Sequence, residues 1–190
     1  MSEAARPRAA LALVHYPVRD RAGGVQATAV TPLNVHDLAR LACTYGLAPF
    51  YVVTPLLSQK ALVERILRHW REGHGGEVNP TRREALRDTV LADSLNEVLA
   101  DLLRREGTPP LLVGTGAREE PRSIGYPELA ARIAAPGRPW LLLFGTGSGL
   151  APELTAQCDH FLAPVRGPGE FNHLSVRTAV AIVLDRLFGK

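Results

Sequence analysis

Residues 140–187 read WLLLFGTGSGL followed by APELTAQCDHFLAPVRGPGEFNHLSVRTAVAIVLDRL, and this stretch decides the fold. Its order of apolar runs and glycines predicts a strand, a glycine loop and a helix start, then a second strand, a second glycine loop and a long helix. Glycine loops that follow buried strands let backbone N–H and C=O groups approach a flat polar ligand. The stretch therefore predicts an α/β fold with a ligand between the two loops.

Further apolar runs upstream alternate with helical patterns, which is typical of a parallel sheet built from βαβ units. Four more strands are predicted in the runs ALALVHY from Ala10, PFYVVTP from Pro49, DTVLADS from Asp88 and PPLLVGTGA from Pro109. With the two strands of the first stretch, they predict one doubly wound parallel sheet flanked by helices on both faces.

The helices between these strands have recognisable ends. A first helix starts at Pro32 with Thr31 as N-cap and stops at Gly46, and its apolar positions are predicted at Leu33, Leu38, Leu41 and Ala42. A second helix begins at Ser58, and a third is capped by Ser94, with Glu97 completing a capping box. Residues 19–31, 74–81 and 117–126 are predicted as loops, and short helices follow the last two at 82–86 and 127–134. The predicted apolar positions of the second helix are Leu62, Ile66, Leu67 and Trp70, and those of the closing helix are Leu174, Val176, Val180, Val183, Leu184 and Leu187.

Composition sets the class of protein. The 190 residues, 46% hydrophobic and 22% charged, are expected to form a single globular domain over residues 1–190, with residues 1–8 flexible. The apolar runs are too short for a membrane span. The two cysteines, Cys43 and Cys158, lack metal-type spacing and fit a cytoplasmic protein. The net charge of +3 suits an anionic partner such as RNA, although many other enzymes share it.

Three strand ends carry glycines, at residues 114–116, 145–149 and 167–169. A phosphate-binding P-loop would need Lys and Ser or Thr directly after GTGSG, where Leu150, Ala151 and Pro152 follow instead. A Rossmann dinucleotide site would place its glycines after the first strand, whereas these lie late in the chain. Any one loop could be a simple tight turn, but the three together predict a shared ligand site.

The segments FGTGSGL, APVRGPGEFNHLSVRTAVAI and TPLNVHDLARLACTYG resemble the three motifs of the SPOUT S-adenosylmethionine-dependent RNA methyltransferases. LALVHYP and the closing NHLSVR segment resemble a small bacterial group within that superfamily. The resemblance implies a deep C-terminal trefoil knot and a homodimer. It also suggests that the glycines from Gly145 to Gly169 stand where backbones cross closely.

The resemblance further implies S-adenosylmethionine as cofactor, held mainly by backbone groups, with the adenine between Leu162 and Leu174. Carried over onto this sequence, the binding positions are Thr115, Gly116, Phe144, Gly145, Thr146, Gly149, Leu162, Pro164, Val165, Gly167, Asn172, Leu174 and Ser175. No metal is expected to take part.

TPLNVHDLARLACTYG also resembles the first motif of the tRNA ribose-methylating branch, where an Asn and an Arg six positions later lie near the methyl transfer. Asn34 and Arg40 match that spacing and are the predicted catalytic residues. Taken alone, Asn34 could be a helix cap and Arg40 a surface arginine. His36 and His173 are candidates for acid–base chemistry or for structural roles, and Arg177 for binding a carboxylate, RNA or a partner subunit.

The predicted function is methyl transfer from S-adenosylmethionine to a base or ribose of tRNA or rRNA. Basic residues between Arg68 and Arg87 could follow a phosphate backbone, or they could simply form a solvated face. Two alternatives remain open at this point: a non-catalytic RNA-binding or ribosome-associated protein that keeps the knotted fold, and a Rossmann-type nucleotide enzyme.

Overall fold

The computed structural model describes residues 6–190; residues 1–5, part of the segment expected to be flexible, lie outside it. Nine strands are assigned in the described part: β1 (Ala9–Val14), β2 (Val18–Arg19), β3 (Val25–Gln26), β4 (Phe50–Val53), β5 (Thr89–Ala92), β6 (Leu111–Gly114), β7 (Ser123–Ile124), β8 (Trp140–Gly145) and β9 (His160–Leu162). The eight helices of the same range are α1 (Pro32–Thr44), α2 (Leu57–Arg71), α3 (His74–Val78), α4 (Pro80–Arg87), α5 (Leu95–Glu106), α6 (Tyr126–Ala134), α7 (Pro152–Thr155) and α8 (Val176–Phe188).

Seven of the strands form one sheet in the order β5-β4-β1-β8-β6-β9-β7, and every neighbouring pair is parallel. The interior strand β1 aligns Leu11 with Phe50 of β4 on one side and with Leu142 of β8 on the other. In a parallel sheet, all carboxyl ends lie at the same edge. This carboxyl edge is where the glycine-rich strand ends meet.

Side chains of β1 alternate between two cores, because successive residues of a strand point to opposite faces. Leu11 and Leu13 belong to the core that is covered by α1, α2, α4, α6 and α8. Ala10, Ala12 and Val14 belong to the core covered by α5 and α7. The predicted α/β architecture, a parallel sheet with helices on both faces, is confirmed.

All six predicted strands are present, and three short ones were missed. β7 pairs with β9 through Ser123 and Ile124, and it lies in a segment predicted as a loop. β2 and β3 form an antiparallel hairpin within the loop predicted after the first strand. Two-residue strands leave no periodic pattern in a sequence, because their pairing depends on distant partners.

The prediction of a surface loop at residues 74–81 is wrong, because α3 and the start of α4 occupy it. Gly75 and Gly76 are buried and pack tightly on the end of α2. A Cβ at Gly75 would collide with the His69 ring, and one at Gly76 with the Trp70 carbonyl oxygen. These glycines permit close helix packing rather than a flexible turn.

Two of the apolar positions predicted for helices are also wrong. Leu33 is 59% exposed in the first turn of α1, where Val35 and Ala39 are buried instead. Leu174, predicted as a buried position of the closing helix, is 45% exposed and precedes the start of α8. Leu33 and Leu174 both lie near the carboxyl edge of the sheet. Each stands at or just before the N-terminal end of a helix, and these helices begin near the carboxyl ends of the strands.

Helix caps agree with the sequence patterns. The Thr31 hydroxyl accepts from the Asn34 backbone N–H, and Gly46 has a φ of +73° just after α1. The Ser94 hydroxyl accepts from the Glu97 N–H at 3.3 Å. The Glu97 carboxylate accepts from the Asp93 N–H at 2.7 Å, one residue before the position that a capping box requires. Within residues 6–190, no helix is both long and apolar enough to cross a membrane.

Candidate functional site

Three glycine-bearing loops leave the carboxyl edge side by side, because β8, β6 and β9 are neighbours in the sheet. They follow Gly145 of β8, Gly114 of β6 and Leu162 of β9. Thr115 ties the first two together: its backbone N–H and its hydroxyl both donate to the Leu143 carbonyl, at 3.1 Å and 2.9 Å. The structure thus brings together the loops from which the sequence predicts a shared site.

The loop after β8 is held from below by β1 and from the side by the β2–β3 hairpin. The Thr146 N–H donates to the Val14 carbonyl at 3.1 Å. The Ser148 N–H donates to the Arg19 carbonyl at 3.1 Å, and the Arg19 N–H donates to the Gly149 carbonyl at 2.8 Å. The hairpin missed in the sequence therefore fixes the shape of a predicted cofactor loop.

A chain of buried and partly buried polar groups runs under this loop. The Thr28 hydroxyl contacts the Thr146 hydroxyl and lies 3.1 Å from His15 Nδ1. His15 is fully buried, its Nε2 has no partner within the described residues, and burial lowers its pKa to about 4. The sequence analysis did not single out His15 or Thr28. A histidine that closes an otherwise apolar strand is the signal that could have identified the first of them.

We expect His15 to make the protein less stable in mild acid. Its pKa is lowered from 6.5 to about 4 in the folded state, so the unfolded chain binds the extra proton between these values. The stability that follows from this lowered pKa is complete above pH 6.5 and is lost as the pH falls towards 4. The total loss in the free energy of unfolding is about 3 kcal/mol. Urea denaturation at several pH values would measure it.

The matched variant is His15→Gln, which keeps a polar side chain beside Thr28 but does not titrate. Its free energy of unfolding should vary less over the same pH range than that of the wild type. Parallel pH curves for the two proteins would contradict the role given to His15.

The segment after β9 folds back over the loop after β6. Asn172 Nδ2 donates to the Ala117 carbonyl at 2.8 Å, and Arg166 forms an ion pair with Glu119 at 3.1 Å. The segment ends at Ser175, which caps α8 by accepting from the Thr178 N–H. Thus residues 163–175 and 115–122 together border the same part of the edge.

Glycines within these loops differ in what surrounds them. A Cβ at Gly145 would lie 2.6 Å from the Leu150 nitrogen, so the backbone does pass closely there. The expectation of close crossings is wrong for Gly167 and Gly169, where nothing lies within 4 Å of such a Cβ. Gly149, with a φ of +103°, faces the same kind of open space. Side chains at these positions would fill the space that a ligand needs to reach the backbone.

The predicted cofactor positions occupy the three loops and the strand ends beneath them. Phe144 and Leu162 are both buried. Phe144 can therefore offer a ligand only its backbone, and Leu162 is the last residue of β9. Leu174 is exposed at the rim, and Ser175 opens α8. These surroundings fit S-adenosylmethionine, which needs backbone partners for its adenine and an apolar slot for the ring.

The predicted catalytic residues lie on α1 and point in different directions. Asn34 is in its first turn, and Arg40 stands about 9 Å farther along the axis and about 120° around it. Asp37 accepts from Arg177 at 3.0 Å, which joins the second turn of α1 to the first turn of α8. Asn34 is one turn before Asp37, so it lies on nearly the same side of α1, the side that faces α8. Arg177, for which a partner-subunit ion pair was one interpretation, pairs within its own chain.

His36 and His173, the two candidates for acid–base chemistry, each contact a different aromatic side chain. His173 packs edge-on against Phe171, with ring centroids 5.5 Å apart. His36 packs edge-on against Trp70 at 5.6 Å, and burial, followed by the positive charge of Arg82, lowers its pKa. The structure therefore gives each histidine its own aromatic neighbour.

Comparison with known proteins identifies the family. A family model described as SAM-dependent RNA methyltransferase matches residues 8–189. A protein of Aquifex aeolicus, described as uncharacterized, is 42% identical over 180 residues, which cover 95% of this chain and 88% of that protein. A protein of Nitratidesulfovibrio vulgaris named tRNA (guanine-N(1)-)-methyltransferase is 46% identical over 178 residues, which cover 94% of this chain. This chain spans only 41% of the length of that second relative.

The fold has its counterpart among solved structures. The SpoU methyltransferase AviRb from Streptomyces viridochromogenes, solved in complex with AdoMet, superposes with a TM-score of 0.59. The match is 19% identical and covers 97% of this chain and 61% of the other. The resemblance to S-adenosylmethionine-dependent RNA methyltransferases is confirmed, and the interpretation as a Rossmann-type nucleotide enzyme is wrong. The chain belongs to the family of S-adenosylmethionine-dependent RNA methyltransferases.

Proposed function

We propose that this protein methylates tRNA at the carboxyl edge of its sheet, with S-adenosylmethionine held by the three loops after β6, β8 and β9. The observation that carries the proposal is the adjacency of these loops, which the sheet order β8-β6-β9 imposes. Near the same edge, Asp37 in the second turn of α1 pairs with Arg177 in the first turn of α8. A donor in the loops and an acceptor over α1 would therefore lie next to each other.

In this proposal, the cofactor is held mainly by the backbone of the loops. Thr115, Gly116, Gly145, Thr146 and Gly149 bind it from one side, and the segment from Leu162 to Ser175 binds it from the other. Leu174, exposed at the rim, would cover the adenine against Leu162. Covering the ring gives that exposed leucine an apolar partner.

When bound, S-adenosylmethionine supplies a methyl group on a positively charged sulfur. A lone pair of the RNA acceptor atom forms the new bond to that carbon, the electron pair of the broken carbon–sulfur bond stays on sulfur, and the acceptor proton leaves to solvent. Asn34 and Arg40 orient the RNA, so the chain contributes mainly through positioning.

Two RNA atoms are the first candidates to accept the methyl group. The relatives named tRNA (guanine-N(1)-)-methyltransferase suggest N1 of guanine, although this chain matches less than half of their length. The Asn34 and Arg40 spacing suggests a ribose 2′-hydroxyl instead. Mass spectrometry of nucleosides from tRNA treated with the protein and cofactor separates a base methyl from a ribose methyl.

Isothermal titration tests the cofactor half of the proposal. We expect S-adenosylmethionine and its demethylated product to bind at one site per chain, and Gly167→Ala to weaken binding about tenfold by filling open space at the loop. Gly137→Ala is the control, since nothing lies within 4 Å of that position either. Absence of binding to the wild type at millimolar cofactor would contradict the proposal.

We further propose a homodimer that covers part of the carboxyl edge. Leu33, Phe171 and Leu174 are apolar and 59%, 80% and 45% exposed at this edge. A second copy would bury them, as self-complementary interfaces do. Sedimentation that gives only the monomer mass at micromolar concentration would contradict this assembly.

The trefoil knot is proposed on the path of residues 163–175. Its contacts with the loop after β6, through Asn172 and Arg166, fit a segment that threads through that loop. An experimental structure that traces the segment outside the loop would contradict the knot. A single domain over residues 1–190 and a cytoplasmic location complete the proposal.

A further inference from the structure

Trp70 of α2 is surrounded by cationic and titratable side chains. The Arg82 guanidinium carbon lies 4.7 Å from the Trp70 ring centroid. The His69 ring lies 4.8 Å from it and the His36 ring 5.6 Å from it, both edge-on. These four residues come from α1, α2 and α4, and we call them the Trp70 cluster.

Positive charge in the Trp70 cluster is not balanced by carboxylates. Arg82, Arg40 and His69 all act to lower the pKa of His36, whereas Asp37 is the acidic group that raises it. Asp37 is itself engaged with Arg177. Neither Arg82 nor Arg40 forms an ion pair with a carboxylate anywhere in residues 6–190. The unpaired Arg82 guanidinium beside Trp70 offers a charge for a phosphate, and the tryptophan offers a surface for a base.

The position of the cluster relates it to the site. Asp37 lies on the side of α1 that faces α8, as its contact with Arg177 shows, and Asn34 lies one turn earlier on nearly the same side. His36 lies on the side that faces Trp70. Arg40 follows His36 by one turn, on nearly the same side. A strand of RNA that crosses the start of α1 would pass from the site directly onto the cluster.

We propose that the Trp70 cluster binds a phosphodiester group of the substrate RNA, adjacent to the nucleotide that receives the methyl group. This inference rests on the proposed function. Arg82 contributes the main charge and is held in place by stacking on Trp70. The neighbouring base can pack beside the same ring.

The test measures binding of fluorescently labelled, unfractionated bacterial tRNA by anisotropy at several salt concentrations. Arg82→Gln should weaken binding about tenfold near 0.1 M salt and reduce the slope of log affinity against log salt by about 0.7 to 0.9. Arg82→Lys keeps the charge without the planar fork, so it should keep the slope of the wild type.

Arg104→Gln is the control, because it also removes one positive charge, from α5 on the other face of the sheet. Its affinity and salt slope should equal those of the wild type. S-adenosylmethionine affinity should be unchanged in every variant. Equal slopes for Arg82→Gln and Arg104→Gln, or a slope lost as fully in Arg82→Lys as in Arg82→Gln, would overturn the inference. Failure of the wild type to bind or methylate tRNA would instead overturn the proposed function.

Discussion

Replacing Arg40 with alanine is expected to slow methyl transfer at least about 100-fold, because positioned charged groups commonly contribute that much. Arg40 is exposed on α1 and forms no ion pair among the described residues, so its loss leaves no buried charge unpaired and should not affect folding. The affinity for S-adenosylmethionine should stay within about twofold, since the loops that are proposed to hold it follow β6, β8 and β9 and do not include α1. Single-turnover assays with radiolabelled cofactor measure the rate.

Arg40→Lys and Arg65→Ala serve as controls for this variant. Lysine keeps the charge but lacks the fork, so partial activity is expected. Arg65 is an exposed arginine of α2 without a recorded ion pair in residues 6–190, and its removal should leave the rate unchanged. Full activity of Arg40→Ala would exclude a role in transfer. Loss of RNA retention with an unchanged rate on bound RNA would make Arg40 a binding residue only.

Gly145→Ala is expected to have the second large effect, on the cofactor loop itself. The new Cβ would lie 2.6 Å from the Leu150 nitrogen and 2.7 Å from the Gly149 carbonyl carbon. Both atoms belong to the backbone, so the loop must move. Overpacking of this kind costs about 2 kcal/mol, and the loop can no longer keep the shape that the hairpin gives it. We expect a lower melting temperature and S-adenosylmethionine affinity reduced at least tenfold, measured by calorimetry.

Gly137→Ala again gives the comparison, because it adds the same methyl group where nothing lies within 4 Å. It should melt like the wild type and bind the cofactor equally well. An affinity for Gly145→Ala that matches the wild type would show that the loop after β8 does not contact the cofactor.

The main strands could be predicted because a strand buried on both faces is a continuous apolar run. WLLLF at the start of β8 and LALV in β1 are such runs, and the structure has strands at both. The order of the strands could not be predicted in the same way. β8 lies between β1 and β6, and nothing local in any of the three segments specifies that pairing.

The parts of the candidate site that depend only on residue type could be predicted from the sequence. Glycines after strands indicated the three loops, because glycine is needed where a backbone turns sharply or is approached closely. The buried chain of His15, Thr28 and Thr146 joins three separate segments, so only the fold reveals it. The same holds for Trp70, whose pattern predicts an ordinary apolar position of a helix and whose neighbours come from α1 and α4.

The position of β1 in the sheet affects how the protein folds during its synthesis on the ribosome. β1 is made first, and β4 can pair with one of its edges early, but its other edge waits for β8, which starts at Trp140. Pairing between such distant segments is slow, and an open strand edge invites aggregation meanwhile. Two of the three loops that are proposed to bind the cofactor, those after β8 and β9, emerge later still. A nascent chain therefore gains its binding edge last, and a product truncated before Trp140 exposes the strand edge that should lie innermost.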